Sequence, residues 1–344
     1  MKFYILAFLL LLVFSSFLLL YGHPDSKTEK AGTARIVFKS TDNGQTWQDI
    51  TKGLPEDLRE DSIRGNKFFA NNQGLFFRFG NGLYHSTENA NAPFWTKEIF
   101  SDTHSSITTG RSGIVAYNRW AVNLKKANGT TVWSSVFDST SEPRIRSVFE
   151  TAGGTIFVGT DKGFFKTVNS GKTWKHVYDG GWAGNMAESN GILLSTSKRR
   201  IIRSTDNGEN WEPVNSVDSV IFDVKQIKGG FVAITSNSEV NTVKTSRLSA
   251  SYDGGKTFQP IDASDKVVID SISRTWDDRP RTRAFQTSIT QVGENFFGAN
   301  ADGIFRSSDE GKTWKLLLPT VKGKSFMLFV SGNVIYAISS KGGC

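Results

Sequence analysis

An all-β chain folded as a seven-bladed β-propeller is what this sequence predicts, and three observations carry the prediction. A short motif of a hydroxyl residue, an Asp, a Gly and an aromatic residue recurs along the chain. The segments between copies are short apolar runs cut by Gly-rich turns, which read as strands. Each end supplies only part of a unit: ARIVFK precedes the first motif and KSFMLFVSGNVIYAISS follows the last. Joined, these N- and C-terminal strands complete one blade and close the ring, which removes the exposed edges a sheet otherwise presents.

In chain order, Phe3 to Tyr21 is the uncharged run FYILAFLLLLVFSSFLLLY, preceded only by Met1 and Lys2. As an apolar helix rising about 1.5 Å per residue it spans roughly the 30 Å hydrocarbon core of a bilayer. The apolar region of a cleavable signal peptide is about 7–15 residues, so residues 1–22 read as a signal anchor with the body outside. A signal peptide, cut to release a secreted protein, is the alternative. Residues 23–34 are small and polar, a linker, and residues 35–344 form the propeller.

Clear copies of the motif are STDNGQTW (40–47), TVNSGKTW (167–174), STDNGENW (204–211), SYDGGKTF (251–258) and SSDEGKTW (307–314). HSTENANAPFW, ending at Trp95, and KKANGTTVW, ending at Trp133, are weaker ones. The aromatic anchors Trp47, Trp95, Trp133, Trp174, Trp211, Phe258 and Trp314 therefore mark seven units of roughly 40 residues, a blade-like period. Residues 145–178 show the grammar of one unit: a strand, a Gly-Gly turn, IFVGT, a DKG turn, FFKT, the motif and WKHV.

Within the motif, Asp42, Asp206, Asp253 and Asp309 can cap turn amides, the Gly takes a backbone conformation costly for other residues, and the aromatic wedges between blades. Calcium binding by these Asp residues is the alternative. Each copy brings one or two carboxylates, whereas calcium takes about 6–8 oxygens. Asn169 in the Asp position of one copy also favours a turn cap. The motif builds a shape.

The 41 Lys+Arg against 33 Asp+Glu give a formal charge of +8, which favours anionic partners. The only Cys is Cys344, so no intramolecular disulfide can form. The four His are scattered without metal-ligand spacing, and no cofactor motif occurs. Asn128-Gly129-Thr130 is a single glycosylation triplet.

The pattern Ser-x-Asp-x-Gly-x-Thr-Trp resembles the Asp-box, or BNR, repeat. The resemblance covers the chain beyond residue 34 and implies that each box is the turn between the third and fourth strands of its blade. The first-to-second turns then share the box face, while the second-to-third turns and interblade links share the other. Ligand-binding candidates on that other face are Arg59, Arg144, Arg146, Trp182, Arg199, Arg200, Trp276, Arg279, Arg281 and Arg283. Arg119, Trp120 and Lys198 lie in the same kind of turn. Arginines interleaved with Trp can clamp carboxylates or sulfates while rings stack on indole; the bland alternative is a solvated charged surface.

Three functions fit. A chain of this size, repeat grammar and basic face resembles the photosystem II stability and assembly factor family, which implies a non-enzymatic propeller binding a protein partner. The same loops could bind an anionic glycan. Asp boxes are also familiar from sialidase-like glycoside hydrolases, but the Phe/Tyr-Arg-Ile-Pro signature is absent. Glu142, Asp218, Asp277 and Asp278 are carboxylate candidates by location only, and no catalytic set is assigned. The expectation is a monomeric, membrane-anchored, extracytoplasmic binding propeller, with nucleic acid a poor partner for an exported domain.

Overall fold

The computed structural model describes residues 35–59, 62–99, 106–110, 113–126, 133–138, 143–214, 220–236, 246–261, 288–299, 302–319 and 324–341. They form seven four-stranded antiparallel sheets. After β1 (Val37–Ser40) and β2 (Gln48–Asp49), blade 2 comprises β3 (Phe68–Asn71), β4 (Gly74–Phe79), β5 (Gly82–Ser86) and β6 (Thr96–Ile99). Blade 3 comprises β7 (Ser106–Gly110), β8 (Gly113–Tyr117), β9 (Ala121–Lys126) and β10 (Trp133–Asp138). Blade 4 is β11 (Ile145–Glu150), β12 (Ile156–Thr160), β13 (Gly163–Thr167) and β14 (Lys175–Tyr178). Blade 5 is β15 (Ala183–Ser189), β16 (Ile192–Ser197), β17 (Arg200–Ser204) and β18 (Glu212–Val214). Blade 6 is β19 (Val220–Ile227), β20 (Gly230–Ser236), β21 (Ser246–Ser251) and β22 (Gln259–Pro260). Blade 7 is β23 (Ser288–Val292), β24 (Asn295–Ala299), β25 (Gly303–Ser307) and β26 (Lys315–Pro319). Blade 1 joins β27 (Lys324–Ser331) and β28 (Val334–Lys341) to the first two strands in the order β2-β1-β28-β27, with Val37 opposite Ile338 and Ser40 opposite Ile335.

Each first strand lies beside the first strand of the next blade around the whole ring, from β3 through β7, β11, β15, β19 and β23 to β27 and back to β3. These are the inner strands. The chain is an all-β, seven-bladed β-propeller. Both faces of a blade are covered by its neighbours except at the outer strand, and burial follows: β12 is buried throughout, whereas β14 and β6 are largely exposed. This is why the second strands read as continuous apolar runs rather than alternating ones. The core lies in the seams between blades. Phe157 and Phe164 of blade 4 pack with Leu193 and Ile202 of blade 5, and burying one such Phe stabilises the fold by about 1.5–3 kcal/mol.

The inner strands of blades 4, 5 and 6 each carry a register shift near the start, between Ile145 and Ser147, between Ala183 and Met186, and between Ile221 and Asp223. The other inner strands, among the described residues, pair in uninterrupted register. The apolar run from Phe3 to Tyr21 lies outside the described residues. Among those that are described, no helix is long and apolar enough to cross a membrane.

Candidate functional site

The five clear repeat turns share one hydrogen-bond plan. At the first, the Gly44 amide donates to Ser40 Oγ (2.8 Å), the Ser40 hydroxyl donates to Asp42 Oδ1 (2.8 Å), and the Thr46 amide and hydroxyl donate to the two Asp42 oxygens at 2.9 and 2.6 Å. Asp206, Asp253 and Asp309 repeat it. Asn169 does so as an amide, accepting from the Thr173 amide and donating Nδ2 to Thr173 Oγ1 (2.8 Å). The Asn210 and Ser204 donors hold Asp206 down to about 2, the backbone amide of Asn210 first. The Thr313 hydroxyl leads in holding Asp309 at about 2. Burial pushes Asp42 up, and its Thr46, Ser40 and Gln45 donors together outweigh it and hold it below the usual range. These oxygens are committed to their own turns, and among the described residues no cluster of metal-ligating side chains occurs.

Two successive residues in every clear turn are left-handed: Asn43–Gly44, Ser170–Gly171, Asn207–Gly208, Gly254–Gly255 and Glu310–Gly311. The second Gly also has no room for a side chain. A Cβ on Gly208 would stand 2.4 Å from Phe157, one on Gly255 2.6 Å from Leu194, and one on Gly44 2.6 Å from Leu317, in each case an atom of the preceding blade. The anchors Trp47, Trp174, Trp211, Phe258, Trp314 and Trp95 sit in the same seams. The indoles of Trp47, Trp211 and Trp314 donate to the Gly carbonyl of their own turn. Trp174 donates instead to the carbonyl of Val136 in blade 3, the residue that the β10 register shift leaves out of the strand pairing.

One element of this face is not in the motif as read from sequence. The cation directly before the Ser or Thr reaches across the seam to a carbonyl of the next turn: Lys166 to Asn207 (2.9 Å), Arg203 to Gly254 (2.8 Å) and Arg306 to Asn43 (3.4 Å). Lys39 reaches Glu88 (3.2 Å) and Ala90 (3.4 Å) of the weaker turn in blade 2. Lys39, Lys166 and Arg203 are buried by this. The signal was a Lys or Arg at that position in four of the five clear copies, with Ala250 the exception.

On the opposite face, the structure joins part of the expected cationic set. The Ile145 amide donates to the Arg119 carbonyl (2.8 Å), which sets the second-to-third turn of blade 3 beside Arg144 and Arg146 at the start of blade 4. Arg146 is the extra residue at the β11 register shift and stands exposed between buried Ile145 and Ser147. Ser147 Oγ donates to the Gly184 carbonyl (2.7 Å), and Asn185 Nδ2 to Asp223 Oδ1 (2.9 Å), stitching the three shifted inner strands together. In blade 5, Lys198 and Arg199 form the two-residue turn between β16 and β17 with φ of 45° and 66°, and Ser197 pairs with Arg200. Asn and Gly suit this left-handed turn; two long cations do not. The Lys198 amide donates to the Trp182 carbonyl (3.3 Å), and the Ile221 amide of blade 6 to the Arg199 carbonyl (2.9 Å). A Cβ on Gly181 would come within 2.7 Å of Lys198 Cε, so the Gly-Gly link before Trp182 clears the path of that side chain.

Arg119, Arg144, Arg146, Lys198, Arg199 and Arg200 are exposed, and among the described residues none of their side chains pairs with a carboxylate. Trp120 is 37% exposed and Trp182 half-buried, so both indoles are within reach of a ligand on this face. Arg59 lies exposed in the link between blades 1 and 2. Trp276, Arg279, Arg281 and Arg283 lie outside the described residues, as do Glu142, Asp218, Asp277 and Asp278.

No family model matches the chain. No curated protein matches it either. Among solved structures, a xyloglucanase of glycoside hydrolase family 74 from Xanthomonas campestris superposes with a TM-score of 0.54 at 13% identity, over 81% of this chain and 51% of that one. The chain thus spans about half the length of that enzyme. YCF48 from Cyanidioschyzon merolae superposes with a TM-score of 0.51 at 14% identity, over 80% of this chain and 97% of that one. At such identities the likeness is one of fold, and the fold shared is the β-propeller.

Proposed function

We propose that this chain is a non-enzymatic binding propeller of the Asp-box type, held outside the cytoplasm by an apolar anchor at residues 3–21. It takes an acidic surface of a protein partner on the face of the interblade links. The observation that carries the reading is the Lys198–Arg199 turn: two adjacent cations held in a conformation that costs roughly 1–2 kcal/mol for each residue other than glycine. Strain of this kind persists where the residue types are needed for something other than stability. Arg119, Arg144, Arg146 and Arg200 extend the charge over three blades, and Trp120 and Trp182 give it aromatic contact area. Arg279, Arg281 and Arg283 would add to it from the blade 6–7 link.

The test is photo-crosslinking in the native membrane. A photoreactive residue in place of Trp120 is expected to give a discrete protein adduct, whereas one in place of Lys256, in a repeat turn, gives none. The adduct is expected to disappear when Arg144 and Arg199 are both changed to Ala. An adduct indifferent to those substitutions would overturn the reading, as would selective binding or cleavage of an acidic glycan by the purified chain without any protein adduct.

A further inference from the structure

The chain contains five Asn-Gly pairs: Asn43–Gly44, Asn81–Gly82, Asn128–Gly129, Asn190–Gly191 and Asn207–Gly208. Asn-Gly is the dipeptide most open to succinimide chemistry, because glycine has no side chain to shield its amide nitrogen. Having lost its proton to base, that nitrogen attacks the Asn side-chain carbonyl carbon. The new C–N bond forms, the bond from Cγ to Nδ2 breaks and ammonia leaves. Water then opens the ring at either carbonyl, giving aspartate or isoaspartate.

Three of these pairs hold nearly the same backbone: φ is 57° and 79° at Asn43–Gly44, 55° and 75° at Asn207–Gly208, and 53° and 75° at Asn190–Gly191. They differ in what the reacting nitrogen does. The Gly44 amide donates to Ser40 Oγ at 2.8 Å and the Gly208 amide to Ser204 Oγ at 2.9 Å, both buried. Asn207 is held as well, by Nδ2 donating to Thr155 Oγ1 (3.1 Å). Asn190 and Gly191 form the exposed two-residue turn between β15 and β16, between paired Ser189 and Ile192. Nothing lies within 4 Å of a Cβ placed on Gly191, and among the described residues its amide has no acceptor. Gly82 is buried and already paired with Phe79 in the β4–β5 ladder; Asn128–Gly129 lies outside the described residues.

We infer that Asn190 is a modification site, converting to aspartate and isoaspartate in the folded protein, and that the Ser40 and Ser204 hydroxyls protect Asn43 and Asn207 from the same reaction. The repeat serine therefore has a chemical role beside its structural one: it keeps a reactive dipeptide usable where the turn demands left-handed residues. Conversion places a new negative charge in a first-to-second turn, on the face of the repeat turns and away from the cationic arc.

The full chain, incubated without denaturant in mildly alkaline buffer and mapped by peptide mass spectrometry with separation of the aspartate and isoaspartate forms, is expected to convert at Asn190 while Asn43 and Asn207 stay intact. Ser204→Ala is expected to speed conversion of Asn207 by about three- to tenfold, the equivalent of one lost hydrogen bond. Ser204→Thr, the arrangement Thr167 already provides in blade 4, keeps the protection. Asn43 is the internal control for folding, since it stays intact in a folded Ser204→Ala chain. Amide hydrogen exchange on the unsubstituted chain supplies a second reading that no variant can spoil: Gly191 exchanges fast, Gly44 and Gly208 slowly. Equal conversion at Asn190 and Asn207, equal exchange at Gly191 and Gly208, or a Ser204→Ala chain with unchanged Asn207 would each overturn the inference.

Discussion

Five turns on one face of the ring and one turn on the other hold the same left-handed backbone, and they fill it with opposite kinds of residue. The repeat turns put Asn, Ser, Glu or Gly first and always Gly second, with a carboxylate or amide capping the loop and, at Asn43, Asn207 and Gly254, a cation from the preceding blade clasping it. The turn of blade 5 puts Lys198 and Arg199 in both positions and caps neither side chain. Where sequence obeys the backbone, the turn builds the seam. Where it defies the backbone, both side chains stand exposed to solvent, as the proposed binding role requires.

The comparison can be broken most forcefully at the second glycine. Gly208→Ala adds a methyl that meets Phe157 in a left-handed position, and is expected to cost about 2–5 kcal/mol as strain and overpacking together. Gly191→Ala has the same φ of 75° and open space around it, so it is expected to cost only about 1 kcal/mol. Urea unfolding of both variants checks the difference, and equal losses would mean that backbone strain, not the seam, sets the requirement for glycine.

The clasp comes next. Arg203 is buried with Nε on the Gly254 carbonyl and a second nitrogen on Glu212 (2.8 Å), so Arg203→Ala is expected to cost about 1.5–3 kcal/mol. Arg200→Ala removes an exposed side chain that pairs with no carboxylate among the described residues, and is expected to leave stability within about 0.5 kcal/mol of the parent. Thermal unfolding distinguishes them.

The smallest effect is on acid stability. Asp309 is lowered in the fold from 3.8 to about 2, the Thr313 hydroxyl leading. A lowered carboxyl stabilises the fold fully above its unfolded value and loses that contribution as pH falls through the folded one. The repeat turns should thus lose stability between pH 3.8 and about 2, and Asp309→Asn should flatten part of that slope. An unchanged slope in acid unfolding would show that the capping bonds do not carry the shift.

Much of the repeat face was legible in sequence, because its chemistry is local. Asp42, Gly44 and Trp47 lie within one turn of chain, and the residue types a left-handed, capped turn needs are few. The clasps by Lys39, Lys166, Arg203 and Arg306 were visible as letters but not as a device, since their acceptors lie in the next blade, tens or hundreds of residues away. Those cations also show that part of the chain's positive surplus sits in the seams rather than on the face of the interblade links. The inner-strand shifts that expose Arg146 left no mark in the sequence, because a bulge depends on pairing between strands. Arg119 and Arg144 were separate letters until the Arg119 carbonyl met the Ile145 amide.

The most direct measurement is made on the Lys198→Asn, Arg199→Gly double variant of the full-length chain, following urea stability and salt-dependent binding to poly-L-glutamate as the acidic probe. With the favoured residues in the turn, stability is predicted to rise by about 1–2 kcal/mol, while binding weakens and loses part of its salt dependence. A variant that is no more stable, or that binds the probe as tightly as the parent, would contradict the division of the ring into a face that builds shape and a face that binds.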